Sequence, residues 1–285
     1  MRSKFLPICM IFILLATAAC STQAAATTAP TDVPVEEPTA EPVEERTLTV
    51  MAAASLTESF TEIAAAFEAA NPGVTVSINF AGTQALVEQL TQGVEADVFA
   101  SANTKYMTTI IENGRVAEGT DSVFAHNKLV VIFPKDNPGG INELQDLAKE
   151  GLVLDLADSS VPVGNYTVNF LDKAAEDESF GEAFKEGVLA NVASYEENVK
   201  AVVTKVSLGE ADAGIVYLTD ITADAAELVD MLDIPDELNT IATYPIASLS
   251  DAVNPDLAQA FVNFVLSSEG QAILAKYNFI PAASE

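Results

Sequence analysis

The sequence predicts an α/β protein of two lobes, each a central sheet flanked by helices. Three observations predict it. Short apolar runs alternate with helix-period stripes from Arg46 onward. The chain has 285 residues, enough for one large or two ordinary domains. Several strand-like runs end in small residues that open a helix, the place where open α/β sheets bind ligands.

The first residues stand apart from that pattern. Arg2 and Lys4 form a basic start, Phe5 to Leu15 is apolar, and Ala16 to Ala19 are small. Residues 1–19 read as an export signal, too short in its apolar part to remain as a membrane span. Cys20 follows. Residues 20–46 are Ser/Thr/Ala-rich and then carry "TDVPVEEPTAEPVEER". Prolines and self-repelling carboxylates with few large apolar side chains build no core, so this stretch reads as an extended, disordered linker.

The body then runs in order. "LTVMAAA" is a strand, and "SLTESFTEIAAAFEAA" a helix with Leu56, Phe60, Ile63, Ala64 and Phe67 on one stripe. Asn71-Pro72-Gly73 stops it. "VTVSINF" is a strand, Ala81-Gly82 turns, and "TQALVEQLTQG" is a helix. "ADVFAS" is a strand before helix "TKYMTTIIENG". "NKLVVIFP" is a strand, "DNPGG" a turn, "INELQDLAKEG" a helix and "LVLDLAD" a strand. "PVGNYTVNFLDKAAED" is a helix with Pro162 in its first turn, and Ser179 to Leu189 another. Helix "ENVKAVVTKVSLGE" leads to strand "AGIVYL". "TIATYPIASL" is strand-like, and two helices within "NPDLAQAFVNFVLSSEGQAILAKYN" close the chain. The rhythm is that of parallel strands joined by crossover helices.

Composition removes several function classes. Cys9 leaves with the signal, so the mature body has no cysteine pair for a disulfide or a metal. His126 is the only histidine, which leaves little for a zinc site or a His-dependent triad. Net charge is −29, and −31 once Arg2 and Lys4 are removed, the opposite of a nucleic-acid footprint. Ser55 as a hydrolase nucleophile would need a base and a G-x-S-x-G elbow, and the sequence offers neither. A surface adhesin on a stalk is a further class, but it leaves convergent donors unexplained.

The junctions hold the informative residues. Ser55-Leu56-Thr57-Glu58 matches the capping box S-x-x-E, which accounts for Ser55 and Glu58 but not for Ala52-Ala53-Ala54. Those alanines mean either close helix–sheet packing or a ligand against the backbone. Gly82-Thr83, Pro162-Val163-Gly164 and Asn198-Val199 open three more helices with free N–H groups, each a potential anion site. Tyr217 ends strand "AGIVY", either as a half-buried core tyrosine or as a phenol donor at the strand's carboxyl end.

"LTVMAAASLTESF", "FAGTQALVEQLTQGVEADVFASA", "VPVGNY", "EENVKAVV", "GIVY" and "SSEGQAIL" occur in that order. Together they resemble the molybdate/tungstate-binding proteins of bacterial ABC importers over roughly residues 47–280. The resemblance implies a two-lobe periplasmic-binding-protein fold with the ligand in the cleft. It places 47–127 and 244–285 in lobe one and 128–243 in lobe two, with crossings near 127–130 and 243–245. The implied oxyanion ligands are Ser55, Thr83, the Val163 and Val199 N–H groups, and Tyr217. Thr83 stands where the family has serine, and Gln84 is the register alternative. Cys20 resembles a lipoprotein acceptor, although Thr17 replaces the usual aliphatic residue three positions earlier. The resemblance further implies molybdenum held only through its oxygens, no cofactor and no catalysis. It implies a permease partner, a monomer, and an extracytoplasmic location on a lipid anchor at the membrane. Sulfate or a small organic anion is the alternative ligand.

Overall fold

The computed structural model describes residues 45–282. The expected signal peptide, Cys20 and nearly all of the linker lie outside the described residues. β1 (Arg46–Ala53) is followed by α1 (Thr57–Ala70), β2 (Val74–Ala81), α2 (Thr83–Thr91), β3 (Val98–Ala100), α3 (Thr104–Glu112) and β4 (Ser122–Asn127). Next come β5 (Leu129–Pro134), β6 (Leu154–Ala157), α4 (Pro162–Glu176), α5 (Glu182–Ala190), β7 (Val192–Glu196), α6 (Val199–Ser207), β8 (Ala213–Tyr217), α7 (Ala225–Leu228) and β9 (Val229–Asp233). β10 (Ala242–Ser248), α8 (Pro255–Leu266), α9 (Ser268–Lys276) and β11 (Ile280–Pro281) complete the described chain.

The strands form two sheets, ordered β11-β4-β10-β3-β1-β2 and β7-β6-β8-β5-β9. The chain leaves the first sheet between Asn127 and Leu129 and returns between Asp233 and Ala242. Neither sheet is purely parallel. β1 pairs parallel with β2 and β3, but β10 inserts antiparallel between β3 and β4. In the second sheet β5 runs antiparallel to both β8 and β9. A strand that returns from the other sheet needs no crossover helix, so it is free to enter in the opposite direction.

Alternation along β1 sends its side chains to two faces. Val50 and Ala52 join a core with Phe60, Phe67 and Phe261, whereas Met51 joins Leu86, Leu90, Phe99, Met107 and Ile110. α1 and α8 therefore cover one face of the first sheet, and α2 and α3 the other. Phe60, Phe67 and Phe261 meet edge to face at 5.2–6.1 Å. Full burial of each contributes on the order of 1.5–3 kcal/mol.

One expected helix is shorter than its pattern. "INELQDLAKEG" forms only a 3-10 turn, Leu144–Ala148, with Lys149 already extended. The Asp146 carboxylate accepts from the Asn142 and Glu143 N–H groups, while Ala148 lies against Gly187 of α5. Local capping and that close contact stop the turn. The sequence pattern also leaves β4, β7, β9 and β11 unmarked, since their residues are largely half-exposed or sit at edges.

Candidate binding site between the sheets

Four helix starts face one small cavity. Ala53, Ala54, Ser55, Gly82, Thr83 and Ala102 line it from the first sheet's side. Val161, Pro162, Val163, Val199 and Tyr217 line it from the second. All five residues singled out in the sequence therefore come together. The alanine run divides: Ala52 is fully buried in the core, and Ala53 and Ala54 form cavity wall.

Ser55 corrects the capping-box expectation. It lies in a 3-10 turn, Ala54–Leu56, and α1 starts from Leu56 with no side-chain cap. The Ser55 hydroxyl pairs instead with the Tyr244 hydroxyl at 3.0 Å. Glu58 turns to Lys200 at 2.7 Å. Partners from distant segments replace the local cap at both ends of the motif.

Thr83 opens α2 and is buried. Its Oγ1 accepts from Ala102 N–H at 3.3 Å, which leaves its own proton free to donate. Gln84 does not line the cavity, and its Nε2 donates to the Glu197 carbonyl at 2.7 Å on the other side of the cleft. Gly82 also meets Glu197, because a Cβ there would overlap the same carbonyl oxygen.

The second wall offers backbone. Pro162 is the first residue of α4, and Val161 before it supplies no side-chain cap. The N–H of Val163 lies in the first turn, where no intrahelical acceptor exists. Gly164 lets that turn approach the Ala157 and Asp158 carbonyls, which a Cβ would overlap. Asn198 caps α6 by accepting from Ala201 N–H, which leaves the Val199 N–H uncapped. Both turns carry positive partial charge.

Tyr217 completes the cavity from the end of β8. It is buried, and its hydroxyl has no hydrogen-bond partner among the described residues. Burial pushes this phenol well above its ordinary range, so it stays protonated as a donor. Among the described residues no carboxylate, lysine or arginine lines the cavity. Lys200, next to Val199, turns away to Glu58 and to the buried Asp220 at 3.2 Å. Burial works to lower the Lys200 pKa, but Asp220 and Glu58 outweigh it and hold it above the usual lysine range.

Sequence reading misses Tyr244, which is buried against Phe124, Tyr217 and Phe279. It sits in the strand-like run "TIATYPIASL", and no local pattern links it to Ser55, 189 residues away.

Known proteins resemble this chain in sequence and fold. The profile of the bacterial extracellular solute-binding protein family matches residues 48–280. The molybdate-binding protein ModA of Mycobacterium tuberculosis is 38% identical over 234 residues, covering 82% of this chain and 84% of the relative. YvgL of Bacillus subtilis, named as a putative ABC transporter substrate-binding lipoprotein, is 27% identical over 82% of this chain and 86% of its own. The periplasmic molybdate-binding protein of Azotobacter vinelandii superposes with a TM-score of 0.71 at 19% identity, covering 82% of this chain and 99% of that one. That likeness shows the two-lobe fold. With the family profile spanning nearly the whole described body, the chain belongs to the bacterial extracellular solute-binding protein family.

Proposed function

We propose that this chain captures molybdate or tungstate outside the cytoplasm and delivers it to the permease of an ABC importer. One observation carries the reading: the cavity presents donors from both walls and, among the described residues, no charged side chain. Ser55, Thr83 and Tyr217 supply hydroxyls, and Val163 and Val199 supply N–H groups. A tetrahedral dianion needs donors on every side, and each is strong in a dry cavity. Neutral donors spread the charge without an ion pair that release would have to break. Molybdenum is held through its oxygens, with no protein atom bound to the metal and no cofactor. The molybdate-binding relative supports this choice of ligand.

The lobes follow as 47–127 with 244–285, and 128–243, with the return moved a few residues earlier because Ala242 and Thr243 pair with β4. The lobes close by hinge motion around the ligand. Cys20 is the lipidation site and the linker a tether from the membrane, a reading that the lipoprotein relative supports. The protein works as a monomer.

Thermal melting tests the function. Ligand at a hundredfold excess over Kd stabilises a protein by about 2.7 kcal/mol. The expected result is a raised melting temperature with molybdate or tungstate and none with chloride. No shift with either oxyanion overturns the reading.

A further inference from the structure

The buried contact between Ser55 and Tyr244 carries information about proton direction. Tyr244 is fully buried, and burial raises its pKa far above the ordinary phenol range, so it holds its proton. Its hydrogen-bond partners among the described residues are Ser55 Oγ at 3.0 Å and Asn127 Nδ2 at 3.4 Å. An amide nitrogen only donates. The orientation of the Asn127 amide is itself fixed. Its Oδ1 accepts from Lys128 N–H at 2.9 Å, and a backbone N–H has no other role. Nδ2 also donates to Thr219 Oγ1 at 2.7 Å. The Tyr217 hydroxyl, the remaining phenol nearby, makes no hydrogen bond within the described residues.

Among the described residues within hydrogen-bond distance, the Tyr244 proton therefore has one acceptor, Ser55 Oγ. Within the described residues Ser55 in turn has the cavity to receive its own proton. We infer that Tyr244, held by Asn127, is a specificity-determining positioning residue that locks Ser55 as a donor toward the ligand. This rests on the oxyanion reading above and extends it. A free serine hydroxyl accepts as readily as it donates, and so welcomes an anion that still carries a proton. A locked one has one lone pair already taken and its proton directed at the ligand, so it accepts less readily. Thr83 is held in the same sense by Ala102 N–H. Hydrogenphosphate then brings an O–H that only the unheld Tyr217 hydroxyl is free to accept, at the loss of that hydroxyl's own donation, while a fully deprotonated oxyanion satisfies every donor. An unpaired buried donor costs enough to separate the two classes.

The test is a double-mutant cycle by titration calorimetry at pH 7, with molybdate and inorganic phosphate as probes. Molybdate binding by the parent, weakened in Ser55→Ala, establishes the site itself. Absence of both would defeat the functional reading before the inference is reached. Tyr244→Phe keeps the ring and removes only the hydroxyl. It should weaken molybdate by about three- to tenfold, the loss of one ordinary hydrogen bond. It should weaken phosphate less, so that the ratio of the two affinities narrows by a similar factor. In the Ser55→Ala background the same change should alter molybdate affinity less than about twofold, because the residue acts through Ser55. Should Tyr244→Phe fail to fold, Asn127→Leu removes the donor that faces the phenol and should narrow the ratio in the same direction. Additive losses on molybdate, or an unchanged ratio in a folded variant, overturn the inference.

Discussion

On the proposed function, the two walls of the cavity meet one ligand with different chemistry. The first-sheet wall uses side-chain hydroxyls, Ser55 and Thr83, each held from behind by a second group. The second-sheet wall uses the N–H groups of Val163 and Val199, fixed by helix geometry, and adds a phenol that no other described group holds. A hydroxyl is defined by its residue type and by its proton's direction. A backbone N–H is defined only by where the chain runs. Substitutions should therefore act on the two walls by different routes, and that difference is open to measurement.

The largest effect should come from keeping the walls apart. Gly82 lies against the Glu197 carbonyl across the cleft, with no room for a Cβ. Gly82→Ala should leave both lobes folded but block full closure. One wall's hydrogen bonds to a charged ligand are then lost together, at about 1.5–3 kcal/mol each, or at least about a hundredfold in molybdate affinity. Solution scattering with saturating molybdate checks it: the parent should compact, and the variant should not.

Next come the hydroxyls. Ser55→Ala should weaken molybdate by roughly 10- to 100-fold; no cap is lost, but the buried Tyr244 hydroxyl loses its acceptor, so stability should also fall by about 1–3 kcal/mol. Tyr217→Phe should lose about tenfold while unfolding as the parent does, since the orphan hydroxyl supports no other described group. Val199→Ala should invert that pattern. The N–H stays, so affinity should remain within about twofold, while the lost core methyls lower stability by about 1–3 kcal/mol. An affinity loss like that of Ser55→Ala would break the distinction between the walls.

The smallest effect lies behind the second wall. Asp155 on β6, Glu196 on β7 and Lys205 on α6 form one cluster, with Lys205 bridging the two carboxylates. Burial and the Glu196 charge push Asp155 up to about 6, with Lys205 opposing. A carboxylate raised above its unfolded value near 3.9 binds protons more tightly when folded. Its contribution is thus present at low pH and lost as pH rises from about 4 to 6. Asp155→Asn should remove that decline. Denaturant midpoints of both proteins across this range measure it, and parallel curves would show that Asp155 titrates normally.

The same contrast explains what is legible in the sequence. Proline at a first helical turn and asparagine before an apolar stripe announce helix starts, so the residue order marks Val163 and Val199 as free N–H groups, and the family resemblance is what singles them out as oxyanion donors. Ser55 is readable as a residue at a junction, but not in its role. S-x-x-E signals a cap, yet Tyr244 and Lys200 compete for Ser55 and Glu58 from 189 and 142 residues away. Periodicity records which face a residue occupies, not its partner on a distant segment. The antiparallel insertion of β10 is hidden for a related reason: a strand's pattern is the same in either direction.

A cavity lined by donors, with no carboxylate among the described residues, is tested most directly by competition calorimetry at pH 7. Molybdate and tungstate should bind most tightly, in a one-to-one ratio. Sulfate should follow, because its shorter bonds leave gaps in a shell of packed helix ends that cannot shrink around it. Phosphate, which keeps a proton at this pH, should bind at least about tenfold more weakly than molybdate. Phosphate binding as tightly as molybdate would contradict the donor-only cavity and place an acidic acceptor such as Glu58 or Glu197 against the ligand.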